Sequence, residues 1–468
     1  MNHIDVLPDD ALLEIFDFYV TVLLRGDKPE VEAWQVLVHV CRRWRNLVFR
    51  SPRRLKLQLY CTPETPAKDK LDVWPALPLL VRGEMTISSG TDNVIAALGQ
   101  SNRVCKVFLY FSRWQLEKVM AAMQVPFPAL TLMIMGLSSH DETLSAIPDS
   151  FLGGSAPSLR YFSLDGIPFR GLPKLLRSAT HLVSLRLYNI HHSGYISPEA
   201  IVALISELSS LRTLSLRFQS PQSRPDWQSR NLPPSKRSIL PALSILDFKG
   251  VTEYLEELVT RIDTPQLDQI DITFFNQIDF DCPRLAQFIN STPTLGALDK
   301  AHVQFEHSTA RVKLRYGTSR FGLDGLEIVI SCREPDWQLS SIEQVCNFSL
   351  HPISAIEDLY IERRFWQPVW KNDGIENTLW LELLLPFTAV KNLYLSKEFA
   401  PGIVATLEEL VESRITEVLP RLQNIFVEGL EPSGPFQKNI GQFVAARQLS
   451  GHPIAISIWD RDPDMESI

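Results

Sequence analysis

Along most of the chain the apolar residues return in one pattern: an apolar position, two others, a second apolar position, one other, then a third. Clear instances are Leu159-x-x-Phe162-x-Leu164, Leu182-x-x-Leu185-x-Leu187, Leu211-x-x-Leu214-x-Leu216, Leu243-x-x-Leu246-x-Phe248 and Leu267-x-x-Ile270-x-Ile272. Further ones begin at Ile356, Val390 and Leu422, and weaker ones at Val104 and Leu130. The alternation that ends each motif is the period of a strand with one face buried. Between motifs, apolar residues fall three and four apart. One such stretch is Ser197 to Leu208, opened by Pro198 and Glu199 and carrying Ile201, Leu204, Ile205 and Leu208; another runs from Val251 to Ile262. Both read as helices. Strand then helix, repeated, predicts an α/β solenoid with a curved parallel sheet over residues 71–460. A non-repetitive α/β fold is the competing arrangement.

The first fifty residues follow the helical period alone. Leu7-Pro8-Asp9-Asp10 reads as a helix start, because proline costs little in the first turn and the aspartates face the positive end of the dipole. Leu12, Leu13, Ile15, Phe16 and Tyr19 then make one apolar stripe. Arg25 to Pro29 is a polar break, after which Pro29, Glu30 and Glu32 open a second, longer helix. Its stripe is Ala33, Val36, Leu37, Val40, Cys41, Trp44, Leu47 and Val48; Arg42, Arg43, Arg45 and Arg50 crowd its C-terminal end, and Ser51-Pro52 stops it. A helical unit of about fifty residues is marginal alone, so a partner or the rest of the chain has to cover these stripes.

The order Leu7-Pro8, then Leu12, Ile15 and Phe16, then Val40-Cys41-Arg42-Arg43-Trp44-Arg45 resembles the F-box over roughly residues 3–52. The stretch from Val20 to Glu32 is longer and more polar than that family's compact loop. The resemblance implies that Leu7, Pro8, Leu12, Ile15, Phe16, Val40, Cys41 and Trp44 pack on a Skp-type adaptor, and through it on a cullin-RING ubiquitin ligase. The motif starts at 159, 182, 211, 243 and 267 lie near the leucine-rich period of about 20–29 residues. The body therefore resembles the leucine-rich-repeat class, although it is irregular and has no consistent turn asparagine. Together these imply the substrate receptor of an SCF-type ligase; a repeat scaffold without a ligase role is the alternative.

Domain organisation follows: a helical F-box-like domain at 1–60, a linker at 61–70, the repeat-like body at 71–460 and a polar tail at 461–468. Thr62 to Lys70 holds two prolines and few apolar side chains, hence the linker. Gln219 to Arg237, rich in Pro, Ser and Arg, reads as a loop.

In a solenoid the side chains between the buried strand positions line the binding face. Those singled out for target binding are Arg186, Tyr188, Arg217, Lys249, Asp271, Tyr360 and Tyr394. Arg186, Arg217 and Lys249 are expected to stack as a basic stripe able to take a phosphorylated motif, while Asp271, Asp358, Glu362 and Glu428 make the later half acidic.

Composition narrows the classes of function. A formal charge of −8 and a pI near 5.8 make nucleic acid a weak partner. The start Met1-Asn2-His3-Ile4-Asp5 meets acid at Asp9, Asp10, Glu14 and Asp17, unlike an export leader, and nothing approaches a membrane span of about 20 apolar residues. A soluble protein of cytoplasm or nucleus, with no membrane partner, is expected. Six cysteines at 41, 61, 105, 282, 332 and 346 form no CxxC pair and have no histidine at zinc spacing. The sequons at Asn290 and Asn347 mean nothing without export. No phosphate loop, HExxH, GxSxG or GxGxxG occurs, and His191-His192 sit where a loop is expected. A non-catalytic protein without metal or cofactor is the expectation.

Overall fold

The computed structural model describes residues 7–23, 33–64, 66–85, 90–138, 146–222, 237–276, 280, 282–317, 325–347, 350–363, 377–409, 416–430 and 435–460. The expected polar break and helix opening at 25–32, most of the loop at 219–237, and the tail at 461–468 lie outside them. The chain divides into two compact units, Met1–Leu182 and Val183–Ile468. The division falls inside the expected solenoid and not at the expected linker.

The first unit holds α1 (Asp9–Leu23), α2 (Ala33–Val40), α3 (Arg42–Arg50), β1 (Leu59–Cys61), α4 (Ala67–Val73), β2 (Leu79–Met85), α5 (Thr91–Leu98), β3 (Val104–Phe111), α6 (Arg113–Ala122), β4 (Leu132–Leu137), β5 (Tyr161–Asp165) and α7 (Leu172–Ser178). Its strands form a parallel sheet in chain order, β1 to β5. The second helix of the sequence reading is in fact two. At Cys41 the backbone is extended (φ −158°, ψ 169°) and its Sγ accepts from the Trp44 amide at 3.4 Å, so α3 starts afresh. Arg42, Arg43 and Arg45 consequently stand in the first turn of α3, where the dipole does not favour cations. Two of them reach elsewhere: Arg43 donates to the Leu7 carbonyl at 2.6 Å and to Asp9 at 2.7 Å, and Arg45 donates to the Val38 carbonyl at 3.0 Å, near the end of α2.

The stretch read as a linker is built into this unit. Leu59 to Cys61 is the first strand of the sheet, and α4 begins at Ala67. Pro63 is buried: a Cβ on Gly83 or Gly90 would meet its ring at 2.2 Å, so two backbone segments close on the proline where only glycine fits. Trp34 ties the helices to this region. Its Nε1 donates to the Gln58 carbonyl at 3.1 Å, and its ring lies 5.1 Å from Trp74 and 6.1 Å from Phe49.

The second unit holds β6 (Ser184–Ile190), α8 (Pro198–Ile205), β7 (Thr213–Phe218), β8 (Ser238–Ile239), β9 (Ile245–Gly250), α9 (Thr252–Arg261), β10 (Ile262–Asp263), β11 (Gln269–Phe274), α10 (Pro283–Ser291), β12 (Lys300–Phe305), β13 (Thr309–Arg315), β14 (Gly325–Ser331), α11 (Pro335–Cys346), α12 (His351–Ala355), β15 (Asp358–Arg363), α13 (Asn377–Leu384), β16 (Asn392–Leu395), α14 (Ala400–Glu409), β17 (Asn424–Glu428), α15 (Pro435–Leu449) and β18 (Ala455–Trp459). Apart from the short β8–β10 pair, the strands run in the order β6-β7-β9-β11-β14-β13-β12-β15-β16-β17-β18. The expected helices at 197–208 and 251–262 are α8, with Ser197 capping the Ala200 amide at 3.2 Å, and α9.

Every motif strand, β3 to β5 in the first unit and seven in the second, begins at or within two residues of its leading apolar residue, and its two alternating apolar positions are buried. In-register pairing aligns these positions into one apolar layer: Leu185, Leu214, Leu246 and Ile270 on one side, Leu359, Leu393 and Ile425 on the other. Successive helices such as α8, α9 and α10, and α11, α13, α14 and α15, pack on one another. A mixed helix-and-strand fold with a predominantly parallel sheet is therefore shown. The break in the repeat is β12–β13–β14: β13 runs antiparallel to both neighbours, with no helix between the three among the described residues. Among the described residues, no helix is long and apolar enough to cross a membrane.

Candidate functional site

The helical unit sorts its expected contact residues into two sets. Leu12 and Phe16 belong to the chain's own core: Phe16 is 0% exposed and lies 4.7 Å from the Trp44 ring, with Leu13, Val20, Leu37, Leu47 and Val48 also buried. They are corrected from adaptor contacts to core. Pro8 is exposed, Ile15 is 50% and Val40 56% exposed, while Leu7, Cys41 and Trp44 are half-buried. Two apolar side chains outside the expected adaptor contacts are exposed as well: Phe18, at 72%, and Val36, which the sequence placed in the stripe of the second helix. Ile15 and Phe18 are three apart on α1, and Val36 and Val40 four apart on α2, so each pair shares a helix face. An apolar stripe wide enough to fill a core and still overflow is what the sequence encodes; only packing assigns which residue goes where.

On the second unit, strand register places the polar side chains in rows. One row runs Arg186, Ser215, Asp247, Asp271, Glu327, Lys313, His302, Tyr360, Tyr394, Phe426 and Ser457. Arg217 and Lys249 are partners in the adjoining row, with Arg186 set one step below them. The expected three-residue basic stripe is thus two residues plus an offset third. Arg217 is also already engaged: its Nε reaches both Asp247 oxygens at 3.0 and 2.8 Å, and its guanidinium lies 5.2 Å from the Tyr188 ring centre. Lys249 lies 5.5 Å from the Phe275 ring. Asp247 thus offsets the charge of Arg217, one of the three cations that phosphate recognition would use.

The acidic half is partly matched in the same way. Glu362, buried, accepts from Gln304 at 2.7 Å and lies 3.1 Å from His302 Nδ1. Asp358 accepts from Asn392 at 2.7 Å, Asn392 accepts from Asn424 at 2.8 Å, and Lys300 lies 3.8 Å from Asp358. Glu327 pairs with Arg311 at 2.9 Å and Lys313 at 3.0 Å. Asp271 differs: burial, reinforced by the charges of Glu327 and Asp247, raises its carboxyl to about 6 against the pull of the Gln269 hydrogen bond and Lys313.

Farther along, parallel register stacks aromatic rings into a column. His302 lies 4.4 Å from Tyr360, Tyr360 4.2 Å from Tyr394 and Tyr394 4.6 Å from Phe426, all within 8° of parallel. Trp459 reaches back to 5.9 Å from Tyr360 and 5.6 Å from Tyr394. Burial pushes the hydroxyls of Tyr360 and Tyr394 up, as do neighbouring carboxylates including Asp358, so neither phenol is set up as a base. Tyr360 and Tyr394 were visible from motif spacing; His302, Gln304, Lys313, Glu327 and Trp459 were not. A usable signal existed, in the strict alternation of Ala301, Val303 and Phe305, of Ala310, Val312 and Leu314, and of Leu326, Ile328 and Ile330.

A cleft of about 460 Å³ lies beyond the ends of β11 and β14, lined by Asn276, Ser308, Ser331, Cys332, Arg333 and Trp337. Burial raises the Cys332 thiol, the opposite of what a nucleophilic thiolate needs. His191 accepts from the Ser193 amide at 3.2 Å in a short turn with His192, a structural role in a loop. Among the described residues, no group of three His, Cys, Asp or Glu side chains is placed to hold a metal ion. In comparisons with known protein families and with curated proteins, the chain matches neither.

Proposed function

We propose that this protein is a non-catalytic receptor: its helical N-terminus docks on a Skp-type adaptor of a cullin-RING ubiquitin ligase, and the exposed face of its sheet holds a target protein. The observation that carries the reading is the F-box-like order of Leu7-Pro8, Ile15-Phe16 and Val40-Cys41-Arg42-Arg43-Trp44, with Pro8, Ile15 and Val40 on the outside of a three-helix unit. Large apolar side chains left in water next to a packed core are what an obligate partner covers. On the sheet, mixed charge, amides and aromatic rings at half burial are the chemistry of protein recognition.

The test uses the full-length chain and a purified Skp-type adaptor. Ile15→Ser with Val40→Ser is expected to weaken adaptor capture at least about tenfold while the melting temperature stays unchanged, because neither side chain is in the core. Full capture by the double variant overturns the reading. A second reading, a scaffold with no ligase role, has its own support: Leu12 and Phe16 are spent on the internal core, and Trp34 fastens α2 to the sheet-bearing segment. Under it, no adaptor is captured by the unmodified chain.

A further inference from the structure

The sheet face of the first unit is made differently from that of the second. On the second unit most charged side chains of the face are met from within: Asp247 by Arg217, Glu327 by Arg311 and Lys313, Asp358 by Asn392 and Lys300. On the first, register sets Arg82 beside Phe108 and Ile134 in one row, and Lys106 beside Leu132 and Tyr161 in the next. These positions alternate with Val81, Val107, Met133 and Phe162, which are buried, so all six side chains stand on the face turned away from the core. Neither cation has a hydrogen bond or an ion pair through its side chain among the described residues.

The apolar members of the group are left in partial contact with water. Tyr161 is 46% exposed, and Phe108, Leu132 and Ile134 are half-buried. A sheet face that meets only solvent carries polar residues at such positions, and an apolar group rimmed by charge marks a surface that a partner covers. The charge at its edge selects the partner. Both cations lie on β2 and β3, next to apolar side chains that continue onto β4 and β5, while the carboxylates Glu84 and Asp165 belong to the row of Tyr110, one step further along the strands. Arg186 on the second unit is an exposed cation too, but its row continues with Ser215 and Asp247, which offer neither apolar surface nor positive charge.

We propose that Arg82, Lys106, Phe108, Leu132, Ile134 and Tyr161 form the docking surface for a target segment that combines acidic side chains with bulky apolar ones, its carboxylates over the two cations and its apolar side chains over Leu132, Ile134 and Tyr161. The assignment rests on the reading of the sheet face as the target-binding surface, and it moves the principal contact from the second-unit residues expected from the sequence to the first unit. Strands about 4.8 Å apart put cations and apolar side chains within about 10 Å of each other across the sheet, the span of about three residues of extended chain. Exposed charge pairs contribute selectivity more than affinity; the covered apolar surface supplies the affinity.

Fluorescence anisotropy with the full-length chain tests this, using a short labelled peptide in which a pair of glutamates precedes leucine and phenylalanine. Twins carry glutamines or lysines for the glutamates, or serines for the apolar pair. At low salt the glutamate peptide is expected to bind about fivefold more tightly than the glutamine twin and to lose that margin as salt is raised. The serine twin should bind at least about tenfold more weakly. Arg82→Gln with Lys106→Gln should abolish the glutamate preference with the melting temperature unchanged, Ile134→Ser with Tyr161→Ser should weaken binding of every peptide, and Arg186→Gln should change nothing. Equal affinity for the glutamate and lysine peptides, a preference that survives Arg82→Gln with Lys106→Gln, or one that disappears in Arg186→Gln overturns the assignment, as does no binding of the glutamate peptide at all. Adaptor capture through Ile15 and Val40 is measured separately; a chain that captures adaptor but shows no preference for the acidic peptide loses this surface and keeps its receptor role.

Discussion

Asp271 shows how a single side chain on the polar row of the sheet trades stability for charge. Its neighbours along the row, Asp247 and Glu327, each have a basic partner, whereas the hydrogen bond to Asp271 comes from Gln269 at 2.6 Å. With its folded pKa near 6, above the ordinary 3.8, the folded state prefers the protonated form. The penalty is full above pH 6, fades as the pH falls through 6, and is gone below about pH 4. Asp271→Asn is therefore expected to stabilise the protein by about 1 kcal/mol at pH 7, a figure reduced for the carboxyl's remaining contact with water, and to have no stabilising effect at pH 4. Urea midpoints at the two pH values check it; a gain that does not change with pH would show that charge is not the cause. Under the proposed receptor role, a basic target side chain near Asp271 would relieve the same penalty.

At the scale of elements, two devices define what the helices and strands can do. In α1, Phe16 and Ile15 are adjacent in sequence and opposite in role. Phe16→Ala empties a fully buried site against Trp44 and is expected to cost about 3–5 kcal/mol, seen as a lowered midpoint of thermal unfolding. Ile15→Ser leaves that midpoint in place, so equal losses from both variants would contradict the core described for the helices. In β14 the controlling residue is Gly325, whose φ of +122° excludes L side chains and where a Cβ would lie 2.2 Å from the Leu314 carbonyl oxygen. Gly325→Ala is expected to destabilise the second unit by about 2–4 kcal/mol, because it strains the pairing that joins β13 to β14. Hydrogen exchange of the Leu326 and Ile328 amides reports this directly, and unchanged protection would speak against it.

For the whole chain, the helical N-terminus is not a detachable module. It shares one compact unit with the first five strands, with β1 starting only nine residues after α3 ends at Arg50 (59 − 50). Removing residues 1–60 takes away most of β1, the Trp34 bond to Gln58 and the aromatic cover of Trp74. The truncated chain is expected to bind a hydrophobic dye and to unfold at lower temperature, whereas Ile15→Ser with Val40→Ser does neither. A truncated chain as stable as the full one would mean that the two parts are independent. Target trapping is therefore better done with the point variants than with a truncation.

The strands were legible in the sequence wherever the six-residue motif occurred, because burying one face of a parallel strand and the turn before it requires apolar side chains at fixed spacing whatever surrounds them. Local chemistry also gave the start of α1, and α8 and α9 to within a few residues. The break at Cys41 was not legible, since the apolar stripe continues across it and only the paths of Arg43 and Arg45 to other elements accommodate a new helix start. Nor was the antiparallel β13, whose alternation is the same in either direction and whose orientation is decided by its neighbours. The candidate surfaces divide in the same way: sequence named the outward positions of the motif strands, and tertiary register decided which are spent. It closed Arg217 on Asp247 and stacked Tyr360 on Tyr394. It also buried Phe16 and left Ile15 in water, because an apolar pattern states how much surface has to be covered while only the assembled packing determines by what.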